Sequence, residues 1–231
     1  MRNVEFNHHA AKYRELHGNN ILITGEEPAY FADYKIRDFK GLVSEAGLPT
    51  GGRYLDFGSG IGASVVPFRK HLPHAQLVCA DVSVDSLALS KRSHGDGIDY
   101  ACVDDGRLPF GDAEFDGSFA CCVFHHIPHD KHRQTLRELR RVLKPSGLLM
   151  VYEHNPFNPL TVRAVRNCPF DENAVLLTAA QLQRAADSAG FRWHRCDYRV
   201  FFPAALSWLR PMEDRLRWLP LGAQYFVVLR A

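Results

Sequence analysis

Short, nearly unbroken apolar runs alternate along this chain with longer stretches whose apolar positions recur every three or four residues. Arg53–Phe57, Leu77–Ala80, Tyr100–Val103, Phe115–Cys122 and Leu148–Tyr152 are the short runs, and continuous apolar character is what strands covered on both faces require. Ile61–His71, Val84–Lys91 and Asp130–Leu143 carry helical spacing between them. In the last of these Leu136, Leu139 and Leu143 share a face, and Lys144-Pro145-Ser146-Gly147 supplies the stop. Strand and helix in strict alternation predict βαβ units and a parallel sheet between helical layers. Thr178-x-x-Gln181 reads as a capping box opening a further helix that Gly190 ends, and Phe191–Tyr198 and Tyr225–Leu229 read as two last strands.

Two segments break the alternation. Residues 1 to about 50 place Tyr30, Phe31, Tyr34 and Phe39 at helical spacing and predict two or three helices ahead of the core. Residues 201–222 are apolar and punctuated by proline, too long for a tight hairpin, and predict structure of their own. The expected form is a helix packed on the sheet face. Capping an apolar acceptor and contact with a membrane surface are the other uses for Trp208 and Trp218 beside Arg210, Arg215 and Arg217.

Composition narrows the class without choosing a function. The 231 residues are 46% hydrophobic and 23% charged, with a net charge of +2 that is too mild to argue for a nucleic-acid partner. No window approaches the roughly 18 uninterrupted apolar residues of a membrane span, and the N-terminus lacks the apolar core of a signal peptide. Cys79, Cys102, Cys121, Cys122, Cys168 and Cys196 include no C-x-x-C pair, and the histidines lack a recognised ligand spacing, so no metal is expected. A cytoplasmic setting with free thiols follows as the expectation.

The candidate chemistry gathers where strands give way to loops. Asp56-Phe57-Gly58-Ser59-Gly60-Ile61-Gly62 leads from a strand through a glycine turn into a helix, which lets backbone approach a ligand near a positive helix end. Its G-x-G-x-G spacing is not the G-x-G-x-x-G of dinucleotide folds. Asp81 ends the second strand, where a carboxylate can accept both hydroxyls of a ribose or, more plainly, cap the helix starting near Ser83. Asp104-Asp105-Gly106-Arg107-Leu108-Pro109-Phe110 follows the third strand and offers a carboxylate to an adenine amino group, with Leu108 against the ring; a polar turn is the plainer role. The fourth strand runs into His125-His126-Ile127-Pro128.

In order and spacing, these motifs and Leu136-Arg-Glu-Leu-Arg-Arg-Val-Leu-Lys-Pro-Ser-Gly147 resemble class I S-adenosylmethionine-dependent methyltransferases. Within them the likeness is to the small-molecule branch that includes ubiquinone and menaquinone biosynthesis methyltransferases. It covers residues 50–155 well and the terminal strands more loosely, and Ser146 stands where a glycine is common. The resemblance implies a three-layer, Rossmann-like, seven-stranded sheet, mostly parallel with the last strand antiparallel, and helices on both faces. It implies one domain: residues 1–50 as a helical lid, 51–155 as the cofactor-binding core and 156–231 as the acceptor side. It implies S-adenosyl-L-methionine as cofactor, bound by Asp56, Gly58, Ser59, Gly60, Asp81, Val82, Asp104, Asp105, Gly106, Cys121 and His126. Asp56 would support the loop and the cofactor's amino group, and Cys121 and His126 would border the methyl group's path.

The expected acceptor is a small-molecule, lipid-linked or sugar-like nucleophile. His125, His126 and His154, with Glu153, are the candidate bases should the acceptor need to lose a proton. For each, packing or hydrogen bonding is the competing role. An NAD(P)-dependent oxidoreductase and an RNA methyltransferase are the competing functions, the latter resting on the arginines within 133–141. Oligomeric state is not legible in the sequence.

Overall fold

The structure, a computed structural model, describes residues 25–231. A long first helix, α1 (Pro28–Glu45), precedes an alternating core: β1 (Arg53–Phe57), α2 (Val65–His71), β2 (Gln76–Asp81), α3 (Val84–His94), β3 (Asp99–Cys102) and β4 (Phe115–Cys121). Two 3₁₀ turns, Phe124–His126 and His129–Lys131, lead into α4 (His132–Val142) and β5 (Leu143–His154). Then come α5 (Pro159–Arg166), α6 (Ala179–Ser188), β6 (Arg192–Arg199) and β7 (Gln224–Arg230). The seven strands lie in the order β3-β2-β1-β4-β5-β7-β6. All are parallel except β7, which runs antiparallel between β5 and β6. The expected sheet is therefore the observed one.

Alternation of side chains divides the core in two. On one face Tyr54, Phe119, Met150 and Phe226 meet Ile36, Phe39 and Val43 of α1 and Phe68 of α2. On the other, Leu55, Ala120, Val151 and Val227 meet Leu136 and Leu139 of α4 and Leu182 and Ala186 of α6. Each fully buried Ile, Leu or Phe in α1 contributes about 1.5–3 kcal/mol of transfer free energy. From Ile36 to Val43 this helix is thus a packed layer over the sheet; the rest of the expected N-terminal helices, before residue 25, lies outside the described residues. Thr178 and Gln181 form the predicted reciprocal cap on α6.

Two expectations are corrected. The helix after β1 begins at Val65, not Ile61. Gly62 sits at φ +80°, outside helical backbone, and a Cβ there would lie 2.1 Å from Ser90 Oγ, so the chain stays in turns until it has passed this contact. Residues 201–222 do not pack a helix on the sheet face. Pro203 and Pro211 limit the segment to a kinked 3₁₀ stretch, Ala204–Met212, with no buried residue, followed by one helical turn, α7 (Glu213–Leu216). Trp208 and Trp218 remain 74% and 72% exposed. No helix among the described residues is long and apolar enough to cross a membrane.

Candidate functional site at the carboxyl rim of the sheet

Parallel strands deliver their following loops to one rim, the usual ligand edge of open α/β sheets. Register sets the order of side chains along it. Phe57 pairs with Ala80, Asp81 with Cys102, and Cys121 with Tyr152. Asp104, Asp81, Asp56 with its glycine loop, Cys121 and His154 therefore follow one another across neighbouring strands.

The glycine loop is held tightly from below. Gly58 N and Ser59 N donate to Ala80 O at 2.8 and 3.1 Å. Gly58 lies at φ +74°, and a Cβ on it would come within 2.4 Å of Val123 Cγ2, so only glycine fits between β1 and the loop after β4. Gly60 instead faces open space, with nothing within 4 Å of its would-be Cβ. Its N–H donates to Asp81 Oδ2 at 2.8 Å, and Ser83 N donates to Asp81 Oδ1 at 2.8 Å. Asp81 thus fastens the loop. The plainer capping role falls to Ser83, whose hydroxyl accepts from Ser86 N. Val82 beside it is exposed.

Asp56 is 3% exposed beneath the loop and accepts a hydrogen bond from the Ser64 hydroxyl. Burial pushes its carboxyl up to about 7, against the lowering effect of Ser64. A stability consequence follows from the raised value. Between about pH 4 and 7 the folded chain keeps a proton that the unfolded chain releases, so unfolding free energy falls as pH rises through that window. Asp56→Asn is expected to flatten this slope in melts across pH 4–8; an unchanged slope would assign it to other groups.

At the β3 end, Asp104 and Arg107 close an exposed tight turn, with Asp105 and Gly106 at positive φ. Leu108 departs from expectation. It is 2% exposed within the core, and its N–H donates to Glu138, so its side chain does not present a face to a ring. Arg141 of α4 bonds Glu138, Asp112 and the carbonyls of Leu108 and Phe110, which commits it to holding this loop.

The histidines form a second cluster. His125 is 2% exposed, with Nδ1 2.5 Å from Glu153 Oε2. Glu153 Oε1 accepts from Val123 N and Phe124 N at 3.0 and 2.7 Å, so Glu153 is wholly occupied inside the protein. Burial opposes charge on His125, but Glu153 and Asp171 outweigh it and push its pKa up to about 10. His126, half-buried, is pushed down to about 4 by burial and by the neighbouring His125. His154 lies beside them, its ring centroid 5.3 Å from that of His125.

Cys122 is a member that sequence reasoning did not single out. It follows β4 at φ +59°, and Lys35 Nζ of α1 donates to its Sγ at 3.0 Å. Burial raises the thiol pKa, yet Lys35 and His154 more than offset this and bring it down to about 6. Eighty-seven positions separate Lys35 from Cys122, and no local pattern announces such a pairing. Farther out, Phe157, Arg163 and Arg166 line an open groove of about 540 Å³.

A methyltransferase-domain family matches residues 55–151. Among curated relatives, the ubiquinone/menaquinone biosynthesis C-methyltransferase UbiE of Desulfotalea psychrophila is 32% identical over 139 residues, covering 60% of this chain and 52% of the relative. The chain spans about half the length of the curated relatives it matches. Among solved structures, an S-adenosylmethionine-dependent methyltransferase of Thermotoga maritima superposes with a TM-score of 0.67 at 18% identity, covering 97% of each chain. A Haloferax volcanii methyltransferase solved with the Trm112 activator gives 0.65 at 20% identity, covering 98% of this chain and 97% of that one. Likeness at such identity speaks for the fold.

Proposed function

We infer that this chain, with a methyltransferase domain over residues 55–151 on a class I methyltransferase sheet, transfers a methyl group from S-adenosyl-L-methionine to a small-molecule, lipid-linked or sugar-like acceptor. The observation that carries the inference is the joint between Gly60 N–H and the Asp81 carboxylate above the buried Asp56. One loop thereby offers backbone to the methionine part, a carboxylate to the ammonium and another to the ribose.

The cofactor supplies a methyl group already activated on a sulfonium. The chain's work is then to bind, align and keep out water, and alignment alone can contribute about 7–11 kcal/mol. Asp81 takes the ribose hydroxyls, Asp56 balances the ammonium, and Asp104 or Asp105 meets the adenine amino group. Gly58, Ser59, Gly60, Val82 and Gly106 form the backbone walls, and Cys121 and His126 border the methyl's path. His126 and His154, less enclosed than His125, are the groups available to receive an acceptor proton. His125, clamped by Glu153, positions the loop that carries His126. The name of the UbiE relatives favours a small-molecule acceptor, and the groove beside Phe157 suits an amphipathic one.

Calorimetric titration with S-adenosylhomocysteine and with NADH tests this against a dinucleotide oxidoreductase. Binding of the first alone is expected, and binding of NADH alone would overturn the inference. A labelled-methyl screen over small-molecule, lipid and RNA fractions then identifies the acceptor, with label in RNA counting against the acceptor class proposed.

A further inference from the structure

We propose that His125, His126 and Asp171 form a binding site for one zinc-class divalent ion, which while bound leaves His154 rather than His126 to receive an acceptor proton. Asp171 ends a 3₁₀ turn, Pro169–Asp171, forty-five positions beyond His126, and the segment that follows it is fixed by Val175 N donating to His125 O at 2.9 Å. The three residues converge: one ligand atom from each lies within 4.8 Å of the others.

The two separations from Asp171 are those of ligands around an ion. His125 Nε2 and His126 Nε2 stand 3.5 and 3.4 Å from Asp171 Oδ1. Hydrogen bonds of N–H to oxygen close to about 2.7–3.2 Å. Two ligands held about 2.0–2.1 Å from a tetrahedral ion are separated by roughly 3.4 Å.

The support behind the ligands points the same way. Glu153 accepts at His125 Nδ1, so that nitrogen carries the hydrogen and Nε2 is left to face Asp171. A carboxylate behind the far nitrogen of an imidazole is the arrangement that orients histidine ligands and raises their basicity. Glu153 is itself fixed by two backbone amides, so the ring has little freedom to turn. Two imidazoles and one carboxylate favour zinc, iron or cobalt over magnesium or calcium, and they leave one position of a tetrahedral ion open. A bound ion takes the place of a proton between His125 and Asp171.

The test uses the full chain, freed of metal with a chelator and titrated with cobalt(II), then with zinc. One equivalent of cobalt per chain is expected, with the intense visible absorption of a low-coordinate site that zinc abolishes. His126→Ala and Asp171→Asn are each expected to weaken cobalt binding at least tenfold, and Glu153→Gln by about 10- to 100-fold. His194→Ala, away from the cluster, is expected to change nothing. Circular dichroism checks that the variants are folded; should Glu153→Gln unfold, the two direct-ligand variants decide. No stoichiometric uptake by the unaltered chain, or uptake undiminished in both folded ligand variants, overturns the proposal.

Discussion

Arg199→Leu is expected to lower the unfolding free energy by about 3–5 kcal/mol, the usual loss when one partner of a buried ion pair is removed. Arg199 of β6 grips Asp38 of α1 with two nitrogens, Nε at 3.0 Å from Oδ2 and Nη2 on Oδ1. Both side chains are enclosed, at 13% and 6% exposure. The guanidinium also lies over the rings of Tyr34 and Phe226. Burial raises the Asp38 pKa and Arg199 counters it, so without Arg199 the enclosed carboxyl must either hold its charge without a cation or take up a proton, and either course costs stability. Acidification should shrink the deficit, because a protonated Asp38 needs no cation. The double variant Arg199→Leu, Asp38→Leu should recover most of the loss, since replacing both members by apolar groups is often neutral or better. Denaturant melts of the two variants at pH 5 and 8 decide the matter, and a stability unchanged in the single variant would show that the pair carries no net weight. The effect reaches the rim, because α1 is the helix that presents Lys35 to Cys122.

Asp81→Ala is expected to weaken S-adenosylhomocysteine binding by about 1–3 kcal/mol, roughly 5- to 150-fold. Two losses combine. The proposed ribose hydroxyls lose a charged acceptor, and the amides of Gly60 and Ser83 lose the group that holds them in place. Asp81→Asn keeps one oxygen for Gly60 or Ser83 but exchanges the other for a donor, so it should fall between. Calorimetry on folded variants measures both; unchanged affinity in Asp81→Ala would remove the ribose from Asp81's role.

What the sequence made legible follows the reach of each interaction. Strands announced themselves because burial on two faces forces unbroken apolar runs, as in Leu148–Tyr152. The capping box at Thr178 was legible because its partners stand three residues apart. The rim carboxylates were legible because Asp56, Asp81 and Asp104 each lie within two residues of a strand's carboxyl end. The start of α2 was misplaced because a glycine's φ depends on what it touches, here Ser90 from another helix. The segment 201–222 misled for a related reason. Apolar spacing predicts burial only where a surface is available, and α1 and α2 already fill that sheet face. Leu108 likewise turned toward the core, where α4 offered it neighbours. Lys35 with Cys122, and Asp171 with the paired histidines, depend on segments far apart in sequence, and no local pattern encodes them.

The position of β7 bears on how the chain is made. Its neighbours β5 and β6 do not pair with each other; β7 joins Leu148–His154 of β5 on one side and Arg192–Arg199 of β6 on the other. Until residues 224–230 have left the ribosome, both strands carry bare backbone edges facing a vacant slot. A nascent chain stalled at that stage would expose two strand-pairing templates, so this interval is where off-pathway association and chaperone capture should concentrate.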